Sequence, residues 1–152
     1  QVDAIADAFS DASFDPGFAI DREPDAGPMA GIERGLEAVA AEYTVVVACD
    51  MPFVDPDVIE YLFERAAEAD AAVPRPDEWY QTTQAVYRTE AMAAACRRAL
   101  DRGDDRIVAP LSDLDEVVVD ADEIESVGSL DTFENVNTPE EFEAAKERIR
   151  EE

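Results

Sequence analysis

The sequence contains no histidine and only two cysteines in 152 residues. The lack of histidine excludes a Cys/His zinc site and a histidine-based catalytic triad. Cys49 and Cys96 are too few for a disulfide scaffold and fit a reducing compartment, so we expect a cytoplasmic location. No apolar run approaches the roughly 20 residues that cross a bilayer, so the sequence predicts no membrane span and no membrane partner.

Positive charge is also scarce, and only one residue, Lys146, is a lysine. The chain has 12 Lys and Arg residues against 38 Asp and Glu residues, which gives a formal net charge of −26. Without a basic stripe to neutralise phosphates, the sequence argues against nucleic-acid binding. Acidic, lysine-poor surfaces resemble those of salt-loving cytosolic proteins, because molar salt shortens the Debye length to about 3 Å. We therefore interpret the acidity as a halophilic adaptation of the surface.

The chain does contain an alternation of helical and strand patterns, in a length that suits one domain spanning residues 1–152. The apolar spacing predicts strands at 18–20, 44–48, 71–73, 79–87 and 117–119. It predicts helices at 2–9, 29–42, 56–69, 89–102 and 105–111, and a last helix from residue 139 onward. The mixed character of 79–87 favours a sheet edge or a substrate-facing strand. The alternation predicts an α/β three-layer sandwich around a mostly parallel sheet.

One aspartate stands at the end of the most apolar strand pattern. Residues 44–48 show no polar alternation, as expected for a central, parallel strand covered on both faces, and Asp50 follows at once. Ligands of open α/β sheets bind beyond the carboxyl ends of strands, where a carboxylate can hold Mg²⁺. We therefore expect Asp50 to be accessible in a cleft, with Pro52 fixing the exit of the chain. The alternative is a turn aspartate that caps a local backbone donor.

A Gly-Pro turn opens the second predicted helix. Gly27 and Gly31 bracket Pro28, and glycines at a helix N-terminus let a ligand approach the backbone N–H groups closely. The same turn is also ordinary helix punctuation, and both interpretations stay open.

Two asparagines precede the last predicted helix. Asn135 and Asn137 alternate around Val136, which places both amides on one side of an extended segment. Thr138 already accounts for the helix cap, through a capping box with Glu141, so neither asparagine is needed for that role. The alternative is a pair of turn asparagines.

The segments GPMAG, ACDMPF and NVNTPEE, in this order, resemble the molybdenum cofactor guanylyltransferases. These enzymes belong to the nucleotidyltransferases with a Rossmann-like, glycosyltransferase-A-like fold. The resemblance implies that Asp50 binds Mg²⁺ and the nucleotide. It further implies that Asp21 contacts the guanine nucleotide, that Gly27 and Gly31 shape the nucleotide site, and that Asn135 and Asn137 contact the pterin substrate.

The activity that the resemblance implies is Mg²⁺-dependent transfer of GMP from GTP to the terminal phosphate of molybdopterin, which forms the guanine dinucleotide cofactor and pyrophosphate. Other acceptors such as cobinamide phosphate, transfer from CTP to molybdopterin, and a non-catalytic binding domain are the alternatives. A glycosyltransferase of similar fold is disfavoured, because the usual Asp-x-Asp metal motif would place an aspartate where Pro52 stands.

The sequence departs from the family pattern in two places. The family's N-terminal strand and Gly-rich, basic nucleotide loop, of the form LAGGxSxRMG, have no counterpart, so we expect an N-terminally truncated domain. Gln81–Thr83 stand where the family usually has a His-Pro or Gln-Pro pair. The arginines that contact phosphate stay open among four that are near predicted loops, namely Arg22, Arg75, Arg88 and Arg106.

The net charge leads to a prediction about salt. At low salt the repulsion among 38 carboxylates opposes the folded state, and molar KCl screens it. We expect the melting temperature, followed by circular dichroism, to rise steadily from low salt to molar KCl. A melting temperature that does not change over this range would contradict the halophilic interpretation.

Overall fold

The computed structural model describes residues 16–20 and 27–151, in which helices cover both faces of a four-stranded sheet. The strands are β1 (Tyr43–Val47), β2 (Ala71–Pro74), β3 (Gln84–Arg88) and β4 (Glu116–Val119). The α-helices are α1 (Pro28–Glu37), α2 (Pro56–Ala66), α3 (Thr89–Asp101), α4 (Ala121–Glu125) and α5 (Pro139–Glu151). Two 3₁₀-helices span Ala109–Asp113 and Leu130–Phe133. The predicted helix at 2–9 lies outside the described residues.

The strands of the sheet lie in the order β1-β3-β2-β4. β2 and β4 are parallel, whereas β3 runs antiparallel to both of its neighbours, β1 and β2. Strands β1, β2 and β4 therefore point in the same direction and end at the same edge of the sheet. The loop that follows each of these three strands starts at this edge, which we call the carboxyl edge.

The sheet corrects two predictions about strand position. β1 was expected to be central and parallel to its neighbours, but in the described part of the chain it is the outermost strand and pairs antiparallel with β3. Its apolar run is explained by coverage on both faces, because Val46 packs into one core while Tyr43 and Val45 pack into the other. The edge position predicted for 79–87 is also wrong, since β3 begins only at Gln84 and lies between β1 and β2.

Two hydrophobic cores, one on each face of the sheet, make up the predicted three-layer arrangement. The first core lies between the sheet and helices α1 and α3 and includes Met29, Leu36, Tyr87 and Met92. The second lies between the sheet and helices α2 and α4 and includes Val58, Leu62, Val86 and Ile124. Full burial of one such side chain contributes about 1.5–3 kcal/mol. The α/β three-layer fold is confirmed, but in the described part of the chain the sheet is not mostly parallel, since only β2 and β4 form a parallel pair.

Local sequence signals fix several helix ends as predicted. Asp55 caps α2 by accepting a hydrogen bond from the Asp57 N–H (2.9 Å), and Pro56 occupies the first turn. Gly103 follows α3 with a φ of +72°, a left-handed conformation that favours glycine. Helix α4, capped by Asp120 and Glu123, was missed although its capping-box spacing is visible in the sequence.

Two other predicted elements are wrong. Residues 18–20 form no regular strand. The helix predicted at 105–111 is instead a 3₁₀-helix at Ala109–Asp113. Pro110 lacks an N–H group and stands in the first turn of this helix, so an α-helix cannot run through it from residue 105.

The capping box of α5 leads to a prediction about pH. The Glu141 carboxylate accepts hydrogen bonds from the N–H groups of Asn137 (2.7 Å) and Thr138 (3.1 Å), and the first of these contributes most to lowering its pKa. A lowered pKa stabilises the folded state above the ordinary glutamate pKa of about 4.3, and the stabilisation is lost as the pH falls through the folded-state value. Glu141→Gln should therefore lower the melting temperature at neutral pH, and the difference from wild type should shrink in acid.

The matched control is Glu140→Gln, since Glu140 lies in the same first turn but shows no such hydrogen bond within the described residues. We expect its effect to be smaller at neutral pH. If both variants shift the melting temperature equally, charge near the helix terminus rather than the capping box would be responsible.

Candidate active site

Asp50 lies at the carboxyl edge of the sheet, in the loop that leaves β1. The strand ends at Val47, and the N–H of Ala48 still donates to the Thr83 carbonyl oxygen (2.9 Å), so the loop starts from a fixed position. Cys49 is exposed and Asp50 is partly exposed. The carboxylate predicted to bind a metal therefore stands just past the strand end, where solvent can reach it.

A backbone hydrogen bond brings the asparagine segment to Asp50. The N–H of Val136 donates to the carbonyl oxygen of Asp50 at 2.8 Å, although these residues are far apart in the sequence. Val136 is partly buried, and Asn135 and Asn137 on either side of it are exposed. The structure thus places both predicted asparagines next to the loop that carries Asp50.

At its far end the same loop is also held by contacts with residues 131–148. The N–H of Asp55 donates to the Thr132 hydroxyl oxygen at 2.9 Å. The guanidinium of Arg148, which also bonds Glu134 (3.0 Å) and Asp131, lies 4.2 Å from the centre of the Phe53 ring. The loop between Asp50 and Asp55 is therefore held along its length against residues 131–148.

Gly27 stands at the start of α1 with a φ of +86°, and Pro28 follows in the first turn. Among the residues that the structure describes, no side chain caps this helix, and the N–H of Gly31 reaches the Gly27 carbonyl oxygen at 3.4 Å. Residues 38–42 link the end of α1 to the start of β1, so the N-terminus of α1 points toward the carboxyl edge. Such a terminus suits a phosphate group. Asp21 lies outside the described residues.

The metal-binding side chains that the structure describes near Asp50 are compatible with one kind of metal site. Among residues 16–20 and 27–151, no group of three or more His, Cys, Asp or Glu side chains could enclose a metal ion. Mg²⁺ usually takes one or two protein carboxylates and completes its shell with phosphates and water. A single, partly exposed Asp50 fits a Mg²⁺ ion that arrives with a nucleotide and does not fit a closed protein site.

The structure shows where three of the four arginines that were candidates for phosphate contact lie. Arg88 is at the opposite edge, paired with Glu42 (2.7 Å), and Arg106 is paired with Asp104 (2.7 Å). Arg75 follows β2 at the carboxyl edge, is exposed and stacks over the Tyr80 ring (5.4 Å). In the described part of the chain Arg75 has no carboxylate partner, so its charge is available at this edge. Arg22 is outside the described residues.

The sequence also matches the model of a known protein family. Residues 3–117 match the family described as the MobA-like NTP transferase domain. The chain belongs to the MobA-like NTP transferase family. It is therefore a nucleotidyltransferase domain, and the resemblance noted in its three motifs is confirmed.

Relatives in this family carry more specific names. A protein of Natronomonas pharaonis named probable molybdenum cofactor guanylyltransferase is 52% identical over 98% of this chain and 73% of the relative. Proteins of the same name from Haloferax mediterranei and Methanosarcina mazei are 35% and 38% identical, over 97% and 95% of this chain. These matches cover 70% and 66% of those two relatives.

Solved structures agree with the MobA-like fold. The crystal structure of molybdopterin-guanine dinucleotide biosynthesis protein A from Archaeoglobus fulgidus superposes with a TM-score of 0.76 and 29% identity, over 99% of this chain and 76% of that one. The 2-C-methyl-D-erythritol 4-phosphate cytidylyltransferase of Thermus thermophilus, at 20% identity and a TM-score of 0.64, shares the fold over 91% of this chain and 78% of its own.

Within the described ranges, every helix is too short or too polar to span a membrane.

The two cysteines allow a direct test of the geometry at Asp50. Cys49 is exposed next to Asp50, whereas Cys96 is buried in α3 and burial raises the pKa of its thiol to about 11. We expect a thiol reagent at about pH 8 to modify Cys49 and spare Cys96, because the thiolate is the reactive form. Mass spectrometry of the native protein measures this, and Cys49→Ser should abolish the modification. Equal modification of Cys96 would contradict its burial.

Proposed function

We propose that this domain transfers GMP from GTP to the terminal phosphate of molybdopterin, forming the guanine dinucleotide cofactor and pyrophosphate. Relatives named probable molybdenum cofactor guanylyltransferase, up to 52% identical to this chain, support this substrate pair. The observation that carries the proposal is the 2.8 Å hydrogen bond from the Val136 N–H to the Asp50 carbonyl oxygen. This bond brings Asp50 and the segment with Asn135 and Asn137 together at one edge of the sheet, which supports a nucleotide-side role for the carboxylate and an acceptor-side role for the two amides.

The chemistry requires positioning more than acid–base catalysis. An oxygen of the acceptor's terminal phosphate forms a bond to the α-phosphorus of GTP. The bond from that phosphorus to the oxygen bridging the α- and β-phosphates breaks, and its electron pair leaves with pyrophosphate. Holding the two phosphates in line is the main contribution of a protein to such a transfer, so the absence of histidine is no obstacle.

Each candidate site residue has a role in this reaction. Asp50 holds the Mg²⁺ ion that accompanies GTP, and this ion, when bound, offsets the charge of the triphosphate. Gly27 and Gly31 keep the N-terminus of α1 open to phosphate oxygens, and Arg75 adds a positive charge at the same edge. Asp21 contacts the guanine nucleotide. Asn135 and Asn137 orient the pterin by hydrogen bonds.

The role of Asp50 is tested by Asp50→Asn in the full-length protein. This change removes one formal charge at almost constant shape, and loss of one such electrostatic group typically lowers a rate about 10²–10³-fold. We expect a loss of this size in guanylyl transfer from labelled GTP, with an unchanged melting temperature. Asp57→Asn, the same change on an exposed carboxylate in the first turn of α2, should leave the rate unchanged. Full activity of Asp50→Asn at saturating Mg²⁺ would refute the role.

The role of the asparagines is tested by Asn137→Ala. A neutral amide orients a polar ligand without contributing charge to the metal site, so the change should raise the KM for the pterin while the affinity for GTP with Mg²⁺ stays nearly unchanged. Calorimetry with GTP and a transfer assay separate these two effects. An equal loss of both would show that Asn137 supports the fold instead. A native protein that neither binds GTP nor transfers the guanylyl group would overturn the proposed function.

A further inference from the structure

Two fully buried polar side chains lie directly beneath the candidate site. Gln84 has 0% and Thr132 has 1% of its surface exposed. Gln84 is the first residue of β3 and pairs with Val47, the last residue of β1, so it lies where the Asp50 loop leaves the sheet. Thr132 belongs to the 3₁₀-helix Leu130–Phe133, shortly before the asparagines. Neither residue has a part in the proposed chemistry.

The two side chains join the three parts of the chain that build the site. The Gln84 amide nitrogen donates to the Thr132 hydroxyl oxygen at 2.5 Å, and the Asp55 N–H donates to the same oxygen at 2.9 Å. Thr132 therefore connects β3 to the far end of the Asp50 loop. At the near end of that loop, the Asp50 carbonyl oxygen accepts a hydrogen bond from the Val136 N–H.

The free-energy cost of burying these polar side chains argues against a role in packing alone. Burial of an amide is unfavourable unless its polar atoms are paired. The Gln84 side-chain oxygen is buried and has no hydrogen-bond partner among the residues that the structure describes. An apolar side chain of similar volume, such as Met, would fill the same space without that penalty. A buried polar contact of this kind instead fixes one arrangement of the groups that it joins.

We propose that Gln84 and Thr132 are positioning residues for the transferase site. By holding Asp55 against the 3₁₀-helix, they set the distance between Asp50 and the segment with Asn135 and Asn137. This inference rests on the proposed function for its catalytic consequence. A misplacement of about 1 Å between reacting groups can lower a rate about 10²-fold, so a hydrogen bond far from the chemistry can control it.

The test compares Thr132→Val with Thr132→Ser in the full-length protein. Valine keeps the shape of threonine and removes the hydroxyl, whereas serine keeps the hydroxyl. We expect Thr132→Val to lower kcat for guanylyl transfer about 10–100-fold while the affinity for GTP with Mg²⁺ stays within about threefold, since Asp50 itself is intact. Thr132→Ser should retain most of the activity. Gln84→Met should lower kcat in the same way, and it replaces Thr132→Val if that variant does not fold.

A matched control separates positioning from simple loss of stability. Val58→Ala makes a cavity in the core beneath α2, and the Val58 side chain is apolar and cannot form a hydrogen bond to the site. Assayed well below its melting temperature, it should keep a normal kcat even though it is destabilised. If Val58→Ala and Thr132→Val lower kcat equally, the pair has only a structural role and the inference is wrong.

Hydrogen exchange tests the pair independently of activity. In Thr132→Val the Val136 amide, which bonds the Asp50 carbonyl oxygen, should exchange at least about tenfold faster than in Val58→Ala, because the loop is released at its other end. Equal exchange in the two variants would overturn the inference. An inactive wild-type protein that still shows the difference would refute the proposed function while the positioning role stands.

Discussion

The hydrogen bond between the Val136 N–H and the Asp50 carbonyl oxygen joins the end of β1 to the segment that leads into α5. It brings the loop that carries Asp50 next to the segment that carries both asparagines. The sheet sets the position of Asp50, and the capping box of Thr138 and Glu141 sets the start of α5. The bond between them makes one site from two rigid elements. In the proposed reaction, the nucleotide and its acceptor then meet at a fixed distance.

Charge is the second constraint on this site. The proposed transfer brings two phosphate compounds to a chain with a net charge of −26, so the repulsion must be offset at the place where they meet. The carboxyl edge supplies positive potential from the exposed Arg75, from the N-terminus of α1, and from the metal that Asp50 is proposed to hold. Most other arginines of the described part are paired with carboxylates, as Arg88 is with Glu42.

The sequence was sufficient for the features that depend on neighbouring residues. The cap of α2 by Asp55 and the glycine after α3 follow from local chemistry, and both were predicted. Features that depend on distant contacts were not. The apolar run of β1 suits any strand covered on both faces, so it could not show that β1 pairs antiparallel with β3. The mixed character of 79–87 suggested a sheet edge or a substrate-facing strand, because nothing local reveals that Thr132 accepts a hydrogen bond from the Gln84 amide in the core.

The most direct test of a single site at the carboxyl edge is paramagnetic broadening by GTP bound with Mn²⁺ in place of Mg²⁺. The signals of the Val136 N–H and of the Asn135 and Asn137 side-chain amides should broaden strongly. Those of Glu116, at the opposite edge where β4 begins, should stay sharp. Asp50→Asn should remove the effect. Unbroadened asparagine signals, or equal broadening at Glu116, would contradict the account.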